Sequence, residues 1–428
     1  MVNEIYLDNA ATTRCDQDVA EKMLEIMTRD YGNPSSAHRK GMEAEKYVRE
    51  SGEMIAKTLH CTRSEILFTS GGTESDNLAL IGGAYAGKRR GTRIITSCFE
   101  HPAVLHTLQR LSGEGFDIVY LPVTQNGQIE TEALYDALTE ETILVSIMAV
   151  NNEIGTAQPL LTIGKMIREK APKALFHTDA VQGYGKIPLD VRAAKIDLLS
   201  VSAHKIHGPK GAGFLYVRDG VRLIPQITGG GQQKDLRSGT ENVPGIAGLG
   251  LAAMKAFENF AADHAQMAEL RDYFCEQVLS KLDDVYVNGI SELSQTSLKM
   301  DTAEPFTDKS DKQDDTSADQ SIYKSDSESQ SNQFSCAPHI ISFSVRGVRA
   351  EVLLHALEDK GIYVSSGSAC STNHPAVSKT LYAIGLDQDL LDSTIRFSLS
   401  RYTTKEEIDY TLKALKEIIP ALRRFRAF

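Results

Sequence analysis

Short apolar runs recur along the first 260 residues, separated by stretches with helical spacing. Ile66-Leu67-Phe68-Thr69, Arg93-Ile94-Ile95-Thr96, Ile118-Val119-Tyr120-Leu121 and Ile143-Leu144-Val145-Ser146-Ile147-Met148 predict strands. Residues 175–178, 198–201 and 213–217 continue the series. Several are apolar at consecutive positions, as strands buried on both faces are. Helical patterns fall at 102–112, 131–138 and 160–170. This alternation predicts an α/β fold, a mostly parallel sheet between helices. Ligands of such sheets gather at the carboxyl ends of strands, so the turns that follow them are where chemistry is expected.

A long helical stretch, Val243 to Leu282, then links to a smaller α+β unit. Its predicted strands lie at 285–287, 340–345, 362–364 and 395–398, and its helices at 349–359, 375–384 and 404–424. Thr404 and Glu407 offer a capping box for the last helix. The expected division is a large domain over 14–260 and a small domain made of 1–13 plus 261–428. Residues 291–336 interrupt it. They hold ten acidic residues against four lysines, a net of −6, with almost no apolar periodicity. They predict a disordered acidic insertion, with Cys336 inside it.

Charge narrows the partners. Lys plus Arg number 46 and Asp plus Glu 57, a net of −11, which disfavours direct binding to nucleic acid or to anionic membrane. No apolar run reaches the ~18 residues that a membrane span needs. The amino terminus has neither the basic nor the apolar region of a secretion signal. The six cysteines are scattered without a CxxC pair, which argues against a metal site or disulfide framework and for a reducing cytoplasm.

Three motifs carry chemistry. Ser202-Ala203-His204-Lys205 closes one predicted strand in a Gly-rich turn. Lys205 is either a solvated loop lysine or a desolvated one, and a desolvated lysine loses its proton readily and becomes a nucleophile. Asp179 ends another strand, as a helix cap or as the buried partner of a cation. The two lie 26 residues apart, a spacing that fits neighbouring strands of one sheet. Pyridoxal phosphate needs this pair, a lysine at its aldehyde and a carboxylate at its ring nitrogen. Thr69-Ser70-Gly71-Gly72-Thr73 leaves a strand and opens a helix, either a plain turn or a phosphate cradle with Thr73 adding a hydroxyl.

Together with Glu100-His101, Asn151-Asn152-Glu153-Ile154-Gly155, Arg237-Ser238-Gly239-Thr240 and Ser365-Ser366-Gly367-Ser368-Ala369-Cys370, these motifs resemble the cysteine desulfurases of the NifS/IscS type. The resemblance spans nearly the whole chain except 291–336. It implies fold type I of the pyridoxal-phosphate enzymes, class-V aminotransferase branch. By resemblance, Lys205 bonds the cofactor, Asp179 pairs its ring nitrogen, and Gln182 its ring hydroxyl. His101 stacks on the ring and moves protons. Thr73, Ser202 and His204 hold the phosphate, and Thr240 reaches the phosphate of a neighbouring subunit, which implies a homodimer. Asn152 contacts cofactor and substrate, and Arg396 grips the substrate carboxylate. Cys370 is the nucleophile that takes sulfur from L-cysteine as a persulfide, leaving L-alanine.

The resemblance further implies a protein sulfur acceptor, either an iron–sulfur scaffold or a tRNA-thiolation enzyme. Selenocysteine lyase is the neighbouring alternative on the same site. Two local features differ from the family's usual form. Ser371-Thr372-Asn373-His374-Pro375 follows Cys370 in place of the commoner Thr-Ser. The scaffold-docking tail of housekeeping members has no counterpart after Phe428, which points to a different acceptor.

Overall fold

A computed structural model describes residues 4–289, 335–366 and 378–425. β1 (Ile5–Tyr6) belongs to the smaller of two sheet systems. The larger system holds β2 (Ile66–Thr69), β3 (Arg93–Ser97), β4 (Asp117–Leu121), β5 (Thr142–Ser146), β6 (Leu175–Asp179), β7 (Leu198–Ser202) and β8 (Gly213–Val217). Their order is β2-β8-β7-β6-β5-β3-β4. β7, β6, β5, β3 and β4 run parallel, and β8 runs antiparallel to both its neighbours. The short β7–β8 connection dictates this, because a parallel return needs a crossover of a dozen or more residues. β2 consequently points the same way as β7, and the carboxyl ends of β2, β3, β5, β6 and β7 share one edge.

The helix Gly72–Gly87 crosses the sheet with almost no polar face, because both of its sides are covered. Its small residues permit close approach, and a Cβ at Gly83 would stand 3.2 Å from Leu175 Cδ1. Its amino end therefore sits at the edge where the strands terminate.

The smaller system contains β9 (Val285–Asn288), β10 (Ile340–Val345), β11 (Ile362–Tyr363), β12 (Ser365–Ser366) and β13 (Thr394–Ser398). Its antiparallel sheet runs β12-β13-β10-β9, and β1 pairs with β11. The sheet packs on the helices Phe260–Lys281, Ala350–Glu358 and Lys405–Phe425 around Phe274, Phe343 and Phe397. Phe343 and Phe397 stack with centroids 5.2 Å apart. Ile5 and Leu7 are buried in this same core. The capping box forms: Thr404 N–H donates to Glu407 Oε2 at 2.8 Å, and Glu407 N–H to Thr404 Oγ1 at 3.3 Å.

Two sequence expectations change. The stretch Val243–Leu282 is two helices, Val243–Glu258 and Phe260–Lys281, broken at Asn259. Each half serves a different core, so one straight rod cannot bury both faces. Cys336 is not in an unstructured stretch. It is buried and bridged to Thr156, and Ala157 N–H donates to Ser335 O at 3.0 Å. Ser335 and Cys336 thus belong to the folded structure, while the rest of the predicted insertion lies outside the described residues. No helix among the described residues is long and apolar enough to cross a membrane.

Candidate active site

The site assembles on the shared strand edge. β6 delivers Asp179 there, fully buried, with Oδ1 accepting Val181 N–H at 2.9 Å. It caps a turn, not a helix, since no helix lies between β6 and β7, and it is a buried acid. Burial, and then the neighbouring Asp76, push its pKa up to about 6. β7 ends at Ser202, and a single 3-10 turn, Ala203–Lys205, follows. That turn leaves Lys205 half-buried, its Nζ donating to Ala10 O at 2.5 Å and Ala11 O at 2.9 Å. Gln182 Nε2 donates to the same Ala10 carbonyl at 2.9 Å. The segment around Ala10 is therefore the floor against which both side chains are set.

Ser202 is buried beside the turn that leaves β2, where a Cβ at Gly71 would stand 3.5 Å from Ser202 Oγ. Gly71 adopts φ +153°, which side-chain-bearing residues rarely take. A Cβ at Gly72 would stand 2.7 Å from Val181 Cγ2, and one at Gly213 2.6 Å from Gly71 Cα. Three glycines thus leave a cup of bare backbone at a helix amino end, with Thr73 exposed on its rim. His204 Nδ1 lies 3.2 Å from Thr12 Oγ1, and burial first and then Lys205 depress its pKa to about 4.

His101 is the amino-terminal cap of the helix Pro102–Gly113, its Nδ1 accepting Ala103 N–H at 3.2 Å. That bond leaves the proton on Nε2, and burial lowers the pKa, so the ring is neutral. Arg396 projects from β13. Its guanidinium donates to Asn152 O at 2.7 Å and to Asp8 Oδ1 at 3.0 Å, while its buried Nε has no partner among the described residues. Ser365, five residues before Cys370 in the chain, is paired with Arg396 across β12 and β13. Cys370 itself lies outside the described residues. Thr240 is exposed on the loop after β8 and is not gathered with the others.

Sequence reasoning missed a polar layer beneath Asp179. His177 is buried two residues earlier on β6, hence on the same face. It bonds Ser146 Oγ at 2.8 Å and Ser200 Oγ at 3.0 Å, and stands 3.5 Å from Asp76 Oδ1. Burial raises Asp76 to about 7 and Glu100 to about 8. It also missed Glu153, which accepts Ser378 Oγ–H at 2.5 Å and Thr380 Oγ1–H at 2.9 Å. His339, brought from the small domain, stands 3.3 Å from Gln182 Oε1. Period-two alternation signalled His177, and the motif Asn151–Gly155 signalled Glu153. No local signal marked His339.

Residues 5–310 and 306–411 match the family model of class-V aminotransferases. The chain is 38% identical over 423 residues to the cysteine desulfurase IscS of Clostridium botulinum, covering 99% of this chain and 96% of that one. The chain belongs to the cysteine desulfurases of the NifS/IscS type. The cysteine desulfurase IscS of Dictyoglomus turgidum is 41% identical, again over 99% of this chain and 96% of its own. A solved NifS-like protein superposes with a TM-score of 0.83 at 36% identity, covering 98% of this chain and all of that one. The α/β architecture seen here is the one this desulfurase family shares. Among the described residues, no three His, Cys, Asp or Glu are placed to hold a metal ion.

Proposed function

We infer that the chain is a pyridoxal-phosphate-dependent cysteine desulfurase that moves sulfur from L-cysteine to Cys370. The overall change is balanced: L-cysteine and the enzyme thiol give L-alanine and an enzyme persulfide. The reading is carried by one observation, the delivery of Asp179 and Lys205 to the same strand edge as the bare Gly71–Gly72 turn. These residues suit the cofactor: a helix amino end with exposed amides for its phosphate, a buried acid for its ring nitrogen, and a lysine within reach of the same floor. When bound, pyridoxal phosphate supplies an electron sink for the bonds broken at the substrate α-carbon.

The chain's own residues then divide the work. Asp179, costly to ionise where it is buried, would be stabilised as an anion by the protonated ring nitrogen of the cofactor. Ser202, Thr73 and His204 would hold its phosphate, and Gln182 and Asn152 its ring. His101 is fixed in the tautomer that gives a proton from Nε2. Arg396 meets the carboxylate of cysteine with a guanidinium already oriented by Asp8 and Asn152 O. Cys370 acts as thiolate, and its sulfur forms the new bond as the substrate C–S bond breaks.

The same reading places the enzyme as a cytoplasmic homodimer that hands persulfide sulfur to a protein acceptor. The free thiols of Cys15, Cys61, Cys98, Cys275 and Cys336 support that compartment. The test is turnover of L-cysteine by cofactor-loaded protein with a reductant. Stoichiometric alanine and sulfide, abolished by Cys370→Ala with cofactor retained, are expected. Loss of neither product in that variant removes Cys370 from the reaction. A rate on selenocysteine far above that on cysteine reassigns the enzyme as a selenocysteine lyase.

A further inference from the structure

His339 stands where the two sheet systems meet. Its carbonyl accepts Leu399 N–H at 2.8 Å, which ties it to the end of β13, and β10 begins at the next residue. Its ring reaches Gln182, which follows β6 of the larger system. His339 is 1% exposed, and its neighbours Ala337 and Ile340 pack with Ala10 and Ile187 in an apolar cluster. A buried polar ring in such a setting is costly unless its nitrogens are used. Nδ1 has no hydrogen-bond partner among the described residues, so the ring's one bond there is the 3.3 Å contact of Nε2 with Gln182 Oε1. A leucine would avoid that cost, so what the imidazole adds is this one contact.

Polarity fixes the direction of each bond in the chain that follows. The Ala10 carbonyl can only accept, so it sets Gln182 with Nε2 toward it, at 2.9 Å, and Oε1 toward His339. The amide oxygen can only accept as well, so His339 donates from Nε2. The ring is neutral with a single N–H, because burial first, and then Lys186, Arg396, Lys205 and His264, hold its pKa well below 6.5. Gln182 Nε2 carries two protons. One goes to Ala10 O, which also accepts Lys205 Nζ at 2.5 Å, and the second remains for an acceptor in the site.

We propose that His339 is a positioning residue that, anchored on the smaller sheet system, locks the Gln182 amide as a donor toward the cofactor's ring hydroxyl. The inference rests on the desulfurase reading above, and its test reads the spectrum and affinity of the bound cofactor rather than turnover. A donor to that oxygen favours its ionised form and lowers the pH at which the bound cofactor's visible absorbance titrates. Releasing the amide therefore raises that midpoint.

The experiment titrates the visible absorbance of cofactor-loaded, full-length protein against pH and measures the pyridoxal phosphate Kd of the same variants. His339→Leu is expected to raise the midpoint by about 0.5–1 pH unit and Kd about fivefold, the worth of one neutral hydrogen bond. His339→Gln, whose amide nitrogen falls near the place of Nε2, is expected to restore both. His339→Asn is too short to reach Gln182 and is expected to behave as leucine does. Gln182→Leu alone should raise the midpoint at least as far as His339→Leu. Adding His339→Leu to it should move the midpoint by no more than ~0.2 pH unit, because the two side chains act as one unit. An unchanged midpoint in His339→Leu, no recovery in His339→Gln, or a full additional shift in the Gln182→Leu background overturns the inference. Should His339→Leu not fold, His339→Asn takes its place in the cycle and the same outcomes decide. Wild-type protein that binds no cofactor would instead sink the desulfurase reading.

Discussion

Asp179→Asn should make the cofactor-free protein more stable while weakening cofactor binding. The carboxyl is fully buried, with a pKa of about 6 against an ordinary 3.8. A native pKa above the unfolded one means that the native state binds the extra proton. Stability is then greatest below about pH 4, falls as pH rises through about 6, and is flat beyond. A shift of roughly 2 units at ~1.4 kcal/mol per unit gives on the order of 3 kcal/mol carried as a penalty at neutral pH. Asparagine is isosteric and keeps an oxygen for Val181 N–H. It removes the charge and with it the penalty. Urea denaturation of cofactor-free protein should therefore show Asp179→Asn ahead of wild type by ~1–3 kcal/mol at about pH 7.5, with the gap closing toward about pH 4. Adding pyridoxal phosphate should reverse the order, because only the carboxylate gains from a ring cation. A cofactor-free variant less stable than wild type at about pH 7.5, or a gap that ignores pH, would refute the reasoning.

Three further outcomes are expected. Arg396→Gln should lower kcat/KM for L-cysteine by about 10–100-fold through KM, the worth of a charge-assisted carboxylate contact; an unchanged KM removes Arg396 from substrate binding. Gly213→Ala should destabilise by ~2 kcal/mol or more, because its Cβ would stand 2.6 Å from Gly71 Cα and from Val201 O, with backbone on both sides. Thermal melts check the stability, and cofactor titration checks the displaced phosphate turn. Deleting 291–334 should leave the unfolding midpoint near that of the full chain. Extending the deletion through Cys336 should cost ~2–3 kcal/mol, since it removes the Ser335 acceptor and a buried side chain. Equal midpoints for the two deletions would contradict this.

The strands of the large sheet were legible because they are buried on both faces and read as unbroken apolar runs. Asp179 and Lys205 were legible because each directly follows such a run, where topology gathers ligands. The break at Asn259 was not, since apolar spacing continues through it while the core being covered changes. Composition over a window also misplaced Cys336, averaging one ordered edge into an acidic tract. The ion pairs escaped for a different reason. Glu74 and Arg237 are 163 residues apart and Asp8 and Arg396 are 388 apart, so only the folded topology brings them together. Arg237 and Arg396 were both singled out from the sequence, yet nothing local says which partner a charge will meet.

On the reading proposed above, sulfur leaves free cysteine and lands on one particular thiol. Cofactor-loaded protein given L-cysteine without reductant, then digested and weighed by mass spectrometry, tests it directly. One added sulfur atom on the peptide containing Cys370, with one alanine formed per subunit, is the predicted result. Alanine formation with that peptide unchanged, or the added sulfur on another cysteine, would contradict it.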